Sequence, residues 1–228
     1  MAEPVSPWPG FSVGLGSLGG IVPWTVVVRG DEALLLAWKG GDRRAGNELF
    51  QRHFEPVRRF FINKTDGDVA ELVQKTFLRC LDAVERFEGR SAFRTFIFAI
   101  ANNLLREHYR ARLRAQREEE LGDLSVEDMG AGPSTILNAK REQQVLLRAL
   151  RRIPLRDQVV LELYYWEELT AAQIGEVLDI PENTARSRLR AGRKRLRDAI
   201  AAVARNPSIA ESTANDLDGW AEQIRIQL

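Results

Sequence analysis

A single cysteine, Cys80, and only two histidines, His53 and His108, occur in the 228 residues. One thiol closes no intrachain disulfide, and so few soft ligands argue against a structural zinc site; neither a metal nor a cofactor is expected. Such sparing use of thiols fits a reducing cytoplasm. Net charge is equally scarce. Lys plus Arg number 33 against 32 Asp plus Glu, a formal +1, so no global field draws the whole molecule to nucleic acid or membrane. Uninterrupted apolar runs are also missing: Pro4 to Val28 holds no charged residue, but four prolines and five glycines break it and no basic segment precedes it. That excludes a membrane span and a signal peptide from the expectation. Residues 1–30 read as a flexible extension, with a translation start near Val26 to Val28 as an alternative, because helical patterning begins only at Asp31. Gly14, Gly16 and Gly19 match the dinucleotide-binding glycine spacing, but Pro23 stands where the following helix is needed, so that match is rejected. No segment shows sustained strand alternation, and the expected fold class is all-α.

Charge is present, but locally. Residues 31–112 carry 15 basic against 12 acidic residues, 113–139 carry 2 against 6, and 140–205 carry 14 against 9. Two basic modules are thus separated by an acidic stretch. Asp31 and Asp42 are candidate helix caps, and Gly40 with Gly41 supply a helix stop. After them Leu49, Phe50, His53, Phe54, Val57, Phe60 and Phe61 form a broad apolar face, with a bend expected at Pro56. A further helix runs to about Phe87, with Leu72, Thr76 or Phe77, Cys80, Leu81 and Val84 as its inward stripe. Ser91 caps a long helix from Ala92 through Arg112. Residues 31–114 form one domain, 115–138 an acidic flexible linker, and 139–205 a second domain. Within the second, Thr170 caps a short helix, Asp179-Ile180-Pro181 makes a turn, and Glu182 opens a longer helix, the spacing of a helix-turn-helix. Residues 206–228 are a C-terminal extension with Leu217, Trp220, Ile224 and Leu228 spaced as a short amphipathic helix.

Seven cations lie between Arg186 and Arg197, directly behind that turn. A solvated basic helix is the plain alternative, but a helix-turn-helix presents such residues to a major groove. Glu182, Asn183, Thr184, Arg186, Ser187 and Arg190 are the base-edge or phosphate candidates, and Arg193 a phosphate contact. In the first domain Phe93, Phe96 and Phe98 precede Asn102, Asn103, Arg106, His108, Tyr109 and Arg110. Aromatics at that spacing are usually core, yet amides and cations on the next turns suit splayed single-stranded bases. No nucleophile with a base, acidic metal cluster or phosphate loop stands out, and no catalytic residue is assigned.

Three segments carry a resemblance: Glu71 to Leu78, Arg86 to Phe96 with Ile100 to Asn103, and Ile180 to Leu189. The first two resemble region 2, and the third region 4, of the bacterial sigma-70 family; the short linker resembles that of its extracytoplasmic-function (ECF) group. The resemblance implies a subunit that binds core RNA polymerase at its clamp helices and flap, directs it to promoter DNA and helps melt the start site. Residue by residue, it implies polymerase docking by Glu71, Gln74, Phe77 and Leu78. It implies minus-10 contacts by Phe87, Arg90, Ser91, Arg94, Asn103, Arg106 and Arg110, and minus-35 contacts across Glu182 to Arg190. An anti-sigma factor is an implied partner. The chain departs from the family pattern at Lys75, commonly acidic, at Phe96, commonly Trp, and at Asn183, commonly Gly. A transcription regulator using only the helix-turn-helix is the competing reading, and the Glu71 to Phe96 block favours the sigma factor.

Overall fold

The computed structural model describes residues 29–65, 67–113, 124–127, 141–204, 206–217, 219 and 222. Its described residues form nine helices and no strand, apart from an isolated bridge between Ser125 and Pro154. The first half holds α1 (Asp31–Lys39), α2 (Arg43–Ile62), α3 (Val69–Val84) and α4 (Phe93–Leu113). The second holds α5 (Arg141–Arg152), α6 (Leu155–Tyr165), α7 (Ala171–Leu178), α8 (Glu182–Val203) and α9 (Pro207–Asn215).

Local chemistry explains most boundaries. Asp42 caps α2 by accepting from the amides of Arg44 at 2.9 Å and Ala45 at 3.3 Å. Gly41, at φ 99°, makes the left-handed turn between α1 and α2. Helix α2 runs on through Pro56. Asp31 differs from expectation: Gly30 occupies the cap position, and the Asp31 carboxylate turns to Arg52 at 2.7 Å and His53 at 2.6 Å. Burial works against ionisation there, yet His53 and Arg52 hold the Asp31 carboxyl below its usual value. Burial lowers the pKa of His53 and pushes the Cys80 thiol up to about 12, as expected of core positions.

The α3 stripe also differs in one member. Leu72, Val73, Thr76, Cys80 and Val84 face inward, whereas Leu81 lies outward on an exposed face. Part of the acidic linker is seated: Val126 is fully buried, and Leu124 and Glu127 share backbone hydrogen bonds with Leu155 and Arg151. The N-terminal extension through residue 28 lies outside the described residues, as do Trp220, Ile224 and Leu228 of the expected tail helix. Helix α9, which the sequence pattern did not single out, stands before those residues, capped by Asn206, and Leu217 beyond it is buried beside Leu146, Leu150, Leu161 and Leu196.

The two halves are packed on each other. Their buried apolar side chains join in one cluster, with α4 lying against α7. Polar groups are buried where they meet: Lys64 pairs with Glu162, and Glu167 with Arg59 and Arg94.

Candidate nucleic-acid interface

The helix-turn-helix is built from the turn outward. Thr170 and Gln173 form a reciprocal capping box at the start of α7. Asp179 ends α7 in the left-handed conformation, at φ 54°. A Cβ on Gly175 would stand 2.7 Å from the Ile180 carbonyl oxygen, so only glycine lets the turn close this tightly. Ala185, Leu189, Gly192, Leu196 and Ile200 bury one stripe of α8. The opposite face then presents Glu182, Asn183, Arg186, Ser187 and Arg190 to solvent, with Thr184 half-buried. Arg186 rests on Glu182 at 2.8 Å, and the Ser187 hydroxyl donates to the Thr184 carbonyl at 2.9 Å. Arg193 is held differently: its guanidinium lies over Tyr164 at 4.8 Å and Tyr165 at 5.4 Å. Arg195 pairs with the buried Asp157. Two of the seven α8 cations therefore brace this helix against α6, a role their spacing did not reveal.

In the first half, a cavity of about 410 Å³ opens between the end of α3 and the start of α4. Ala83, Arg86, Phe87, Glu88, Arg90 and Phe96 line it. Phe87 and Phe96 stack with ring centres 4.3 Å apart, whereas Phe93 and Phe98 are buried core. The three aromatics thus divide: two pack the interior and Phe96 walls a cavity. Lys39 of α1 reaches the carbonyl oxygens of Phe87 and Glu85 and ties the cavity rim to a helix outside the quoted motifs. Arg90 is exposed and paired with Glu88 at 2.5 Å; Ser91 is half-buried.

Helix periodicity extends this cavity along α4. Asn103 and Arg110 follow Phe96 by seven and fourteen residues, hence share its face, and Arg106 lies one turn from Asn103; all three are exposed. Arg94 is nine residues before Asn103, half a turn round the helix. It points to the C-terminal half, where it donates to Glu167 at 2.6 Å. The α4 members of the expected minus-10 set are therefore divided between two faces of that helix.

A third surface lies on α3. Glu71, Gln74 and Leu78 are exposed at intervals of three and four, and Leu78 keeps 52% of its surface. Phe77 is half-buried, packing on Phe50 at 4.9 Å and Phe54 at 6.2 Å. Leu81 and Phe54, each 45% exposed, enlarge the apolar patch, and neither was singled out as a surface residue from sequence. Lys75 forms an ion pair with Glu71 at 2.5 Å. Exposed leucine and phenylalanine side by side mark a surface suited to a protein partner.

Comparisons with known proteins agree with this layout. Residues 49–115 match the family model "Sigma-70 region 2", and residues 143–196 match "Sigma-70, region 4". The chain is similar to the ECF RNA polymerase sigma-E factor of Escherichia coli K12, 25% identical over 168 residues, covering 70% of this chain and 88% of that protein. It is also similar to the sigma-E factor of Haemophilus influenzae, 25% identical over 179 residues, covering 75% and 95%. Among solved structures, the sigma factor RpoE in complex with the anti-sigma factor NepR from Bartonella quintana shares the fold. There the TM-score is 0.55 at 17% identity, covering 68% of this chain and 96% of that one. With both regions matched in order, the chain belongs to the sigma-70 family, as an ECF sigma factor that binds core RNA polymerase and directs it to promoters.

Proposed function

We propose that this sigma factor divides promoter reading between two chemically different surfaces. The supporting observation is the α3–α4 cavity, walled by Phe87 and Phe96, opening on the same α4 face as Asn103, Arg106 and Arg110. One unstacked base enters that cavity against the aromatic pair, while the amide and cations downstream hold the adjoining strand. Stacking contributes ~1 to 3 kcal/mol per captured base. Separating a base-pair step costs about 0.6 to 2.2 kcal/mol, so capture of a few bases shifts the duplex toward its open form. The exposed face of α8 reads the minus-35 duplex, with Asn183, Arg186 and Arg190 toward base edges and Glu182, Thr184 and Ser187 beside them. Arg193 serves this surface by holding α8 on α6.

Glu71, Gln74, Phe77 and Leu78, with Leu81 and Phe54, dock on the polymerase clamp helices, and the C-terminal domain meets the flap. Work is done by binding, with no covalent chemistry by the sigma factor itself, and in the cytoplasm, where the polymerase is. An anti-sigma factor is a further partner, by analogy with the Bartonella RpoE complex. The domains act as residues 31–114 and 139–205, with 115–138 between them. Run-off transcription on genomic fragments, with and without this protein added to purified core polymerase, tests the reading. Discrete start sites appearing only with the protein are expected. Operator binding without polymerase, and no new start sites, would favour a regulator instead.

A further inference from the structure

Helix α3 ends without a glycine stop. Glu85, at its C-cap, keeps a right-handed conformation, and Gly89, at φ 72°, comes only after Glu88. The amides of Arg86 and Phe87 turn back to the carbonyls of Ala83 and Val84, each at 3.1 Å. The carbonyls of Glu85 and Phe87 then lie beyond the helical pattern, at the end of a helix where partial negative charge gathers and acceptors lack partners. A cation from another element meets them. The Lys39 ammonium, on the last residue of α1, donates to the Phe87 carbonyl and lies 3.5 Å from that of Glu85. Lys39 forms no ion pair with a carboxylate among the described residues, so its charge goes to these two carbonyls.

The helix that carries this lysine is fixed at both ends. A Cβ on Gly46 of α2 would stand 2.7 Å from the Trp38 indole, so the ring lies directly on the α2 backbone, and it meets Phe50 edge-on at 5.1 Å. At the other end, Asp31 is held by Arg52 and His53 of α2. The segment that Lys39 reaches has little packing of its own: Glu85, Arg86, Glu88, Gly89 and Arg90 are all exposed. The Glu88–Arg90 pair within it stands in solvent, where an ion pair contributes little. Yet Phe87, in the middle of this segment, is the ring that stacks on Phe96 and walls the cavity. Lys39 itself lies ahead of residues 49–115, the stretch matched to region 2.

We infer that Lys39 is a positioning residue for base capture: its ammonium fixes the Phe87 backbone, so the ring stands opposite Phe96 before DNA arrives. It acts through Phe87 and not on the base. A slot formed in advance spares each capture the ordering of a mobile side chain. The effect on promoter opening rests on the proposed base-capture role of the cavity; the holding of the segment does not. Full-chain variants Lys39→Met, which keeps an unbranched stem without the charge, Lys39→Arg, which restores a cationic donor, and Phe87→Ala are compared with the parent. Amide hydrogen exchange over residues 84–88 of the free protein, read by mass spectrometry, reports the holding. Permanganate reactivity with core polymerase, on a promoter found by run-off transcription, reports opening, and gel shift reports minus-35 duplex binding.

Exchange of the Arg86 and Phe87 amides is expected to be roughly fivefold faster in Lys39→Met and near the parental rate in Lys39→Arg, with α8 unchanged. Opening by Lys39→Met is expected to fall about 2- to 12-fold, the range that ordering one side chain covers, while minus-35 duplex binding is kept and Lys39→Arg recovers part of the loss. Unchanged exchange in Lys39→Met overturns the proposal whatever the DNA result. Faster exchange with parental opening also overturns it, provided that Phe87→Ala is impaired, since the ring then needs no holding. Equal losses of opening and minus-35 binding overturn it as well, being the mark of a general folding defect. Normal opening by Phe87→Ala instead removes the base-capture reading and with it the role given to Lys39. Should circular dichroism show Lys39→Met unfolded, Lys39→Gln takes its place under the same criteria.

Discussion

The two regions proposed to face DNA differ in shape and in material. On α8 the side chains proposed for recognition stand exposed on a regular helix, supported by one buried stripe from Ala185 to Ile200. At the α3–α4 junction the site is concave, with stacked aromatics and a rim tied by Lys39. A duplex presents base edges in a groove wide enough for a helix, so a convex cationic surface suffices. A single strand presents flat faces once unstacked, and those need a slot. Convex sites are therefore legible from helix periodicity, whereas concave ones depend on where separate elements come together.

The sharpest way to break that contrast is Phe87→Ala. Loss of one stacking wall is expected to weaken open-complex formation by roughly 5- to 150-fold, from ~1 to 3 kcal/mol, with little change in minus-35 duplex binding. Permanganate reactivity of the start-site thymines, beside duplex binding by gel shift, checks it; equal losses in both would merge the two sites. Next comes Arg190→Ala, expected to cost about 1 to 2 kcal/mol on a promoter with an intact minus-35 element, and far less once that element is scrambled. Run-off titrations on the two templates measure the difference.

The smallest effect compares the two halves as folding units. Asp42→Ala and Thr170→Ala each remove a helix cap, one per half, at ~1 kcal/mol apiece. Because the buried apolar cluster spans both halves, both variants are expected to lower one shared melting transition in calorimetry. Two separate transitions, each moved by one substitution, would show halves that melt independently.

The positions of α1 to α8, Asp42 and Thr170 as caps, Asp179 to Pro181 as the turn and the exposed face of α8 were legible in the chain, because each depends on neighbours within a few residues. The cationic run read as a DNA surface, although Arg193 and Arg195 spend their side chains on Tyr164, Tyr165 and Asp157. Leu81 shows the same limit from the apolar side: its spacing fits an inward stripe, but among the described residues it is left exposed on the flank of α3. Asp31 fits a cap by position, yet two cations 21 and 22 residues onward took its carboxylate.

By itself, the sequence determined an all-α chain with two motif blocks in the order of an ECF sigma factor, since periodicity, caps and motifs are short-range properties. The tertiary structure alone decided that Phe87 and Phe96 close on a cavity while Phe93 and Phe98 fill the core. It also decided that Lys64 and Glu162, 98 residues apart, are buried together, and that Arg94 meets Glu167, 73 residues onward. Burial and ion pairing depend on which surfaces meet across the fold, and no local pattern encodes that meeting.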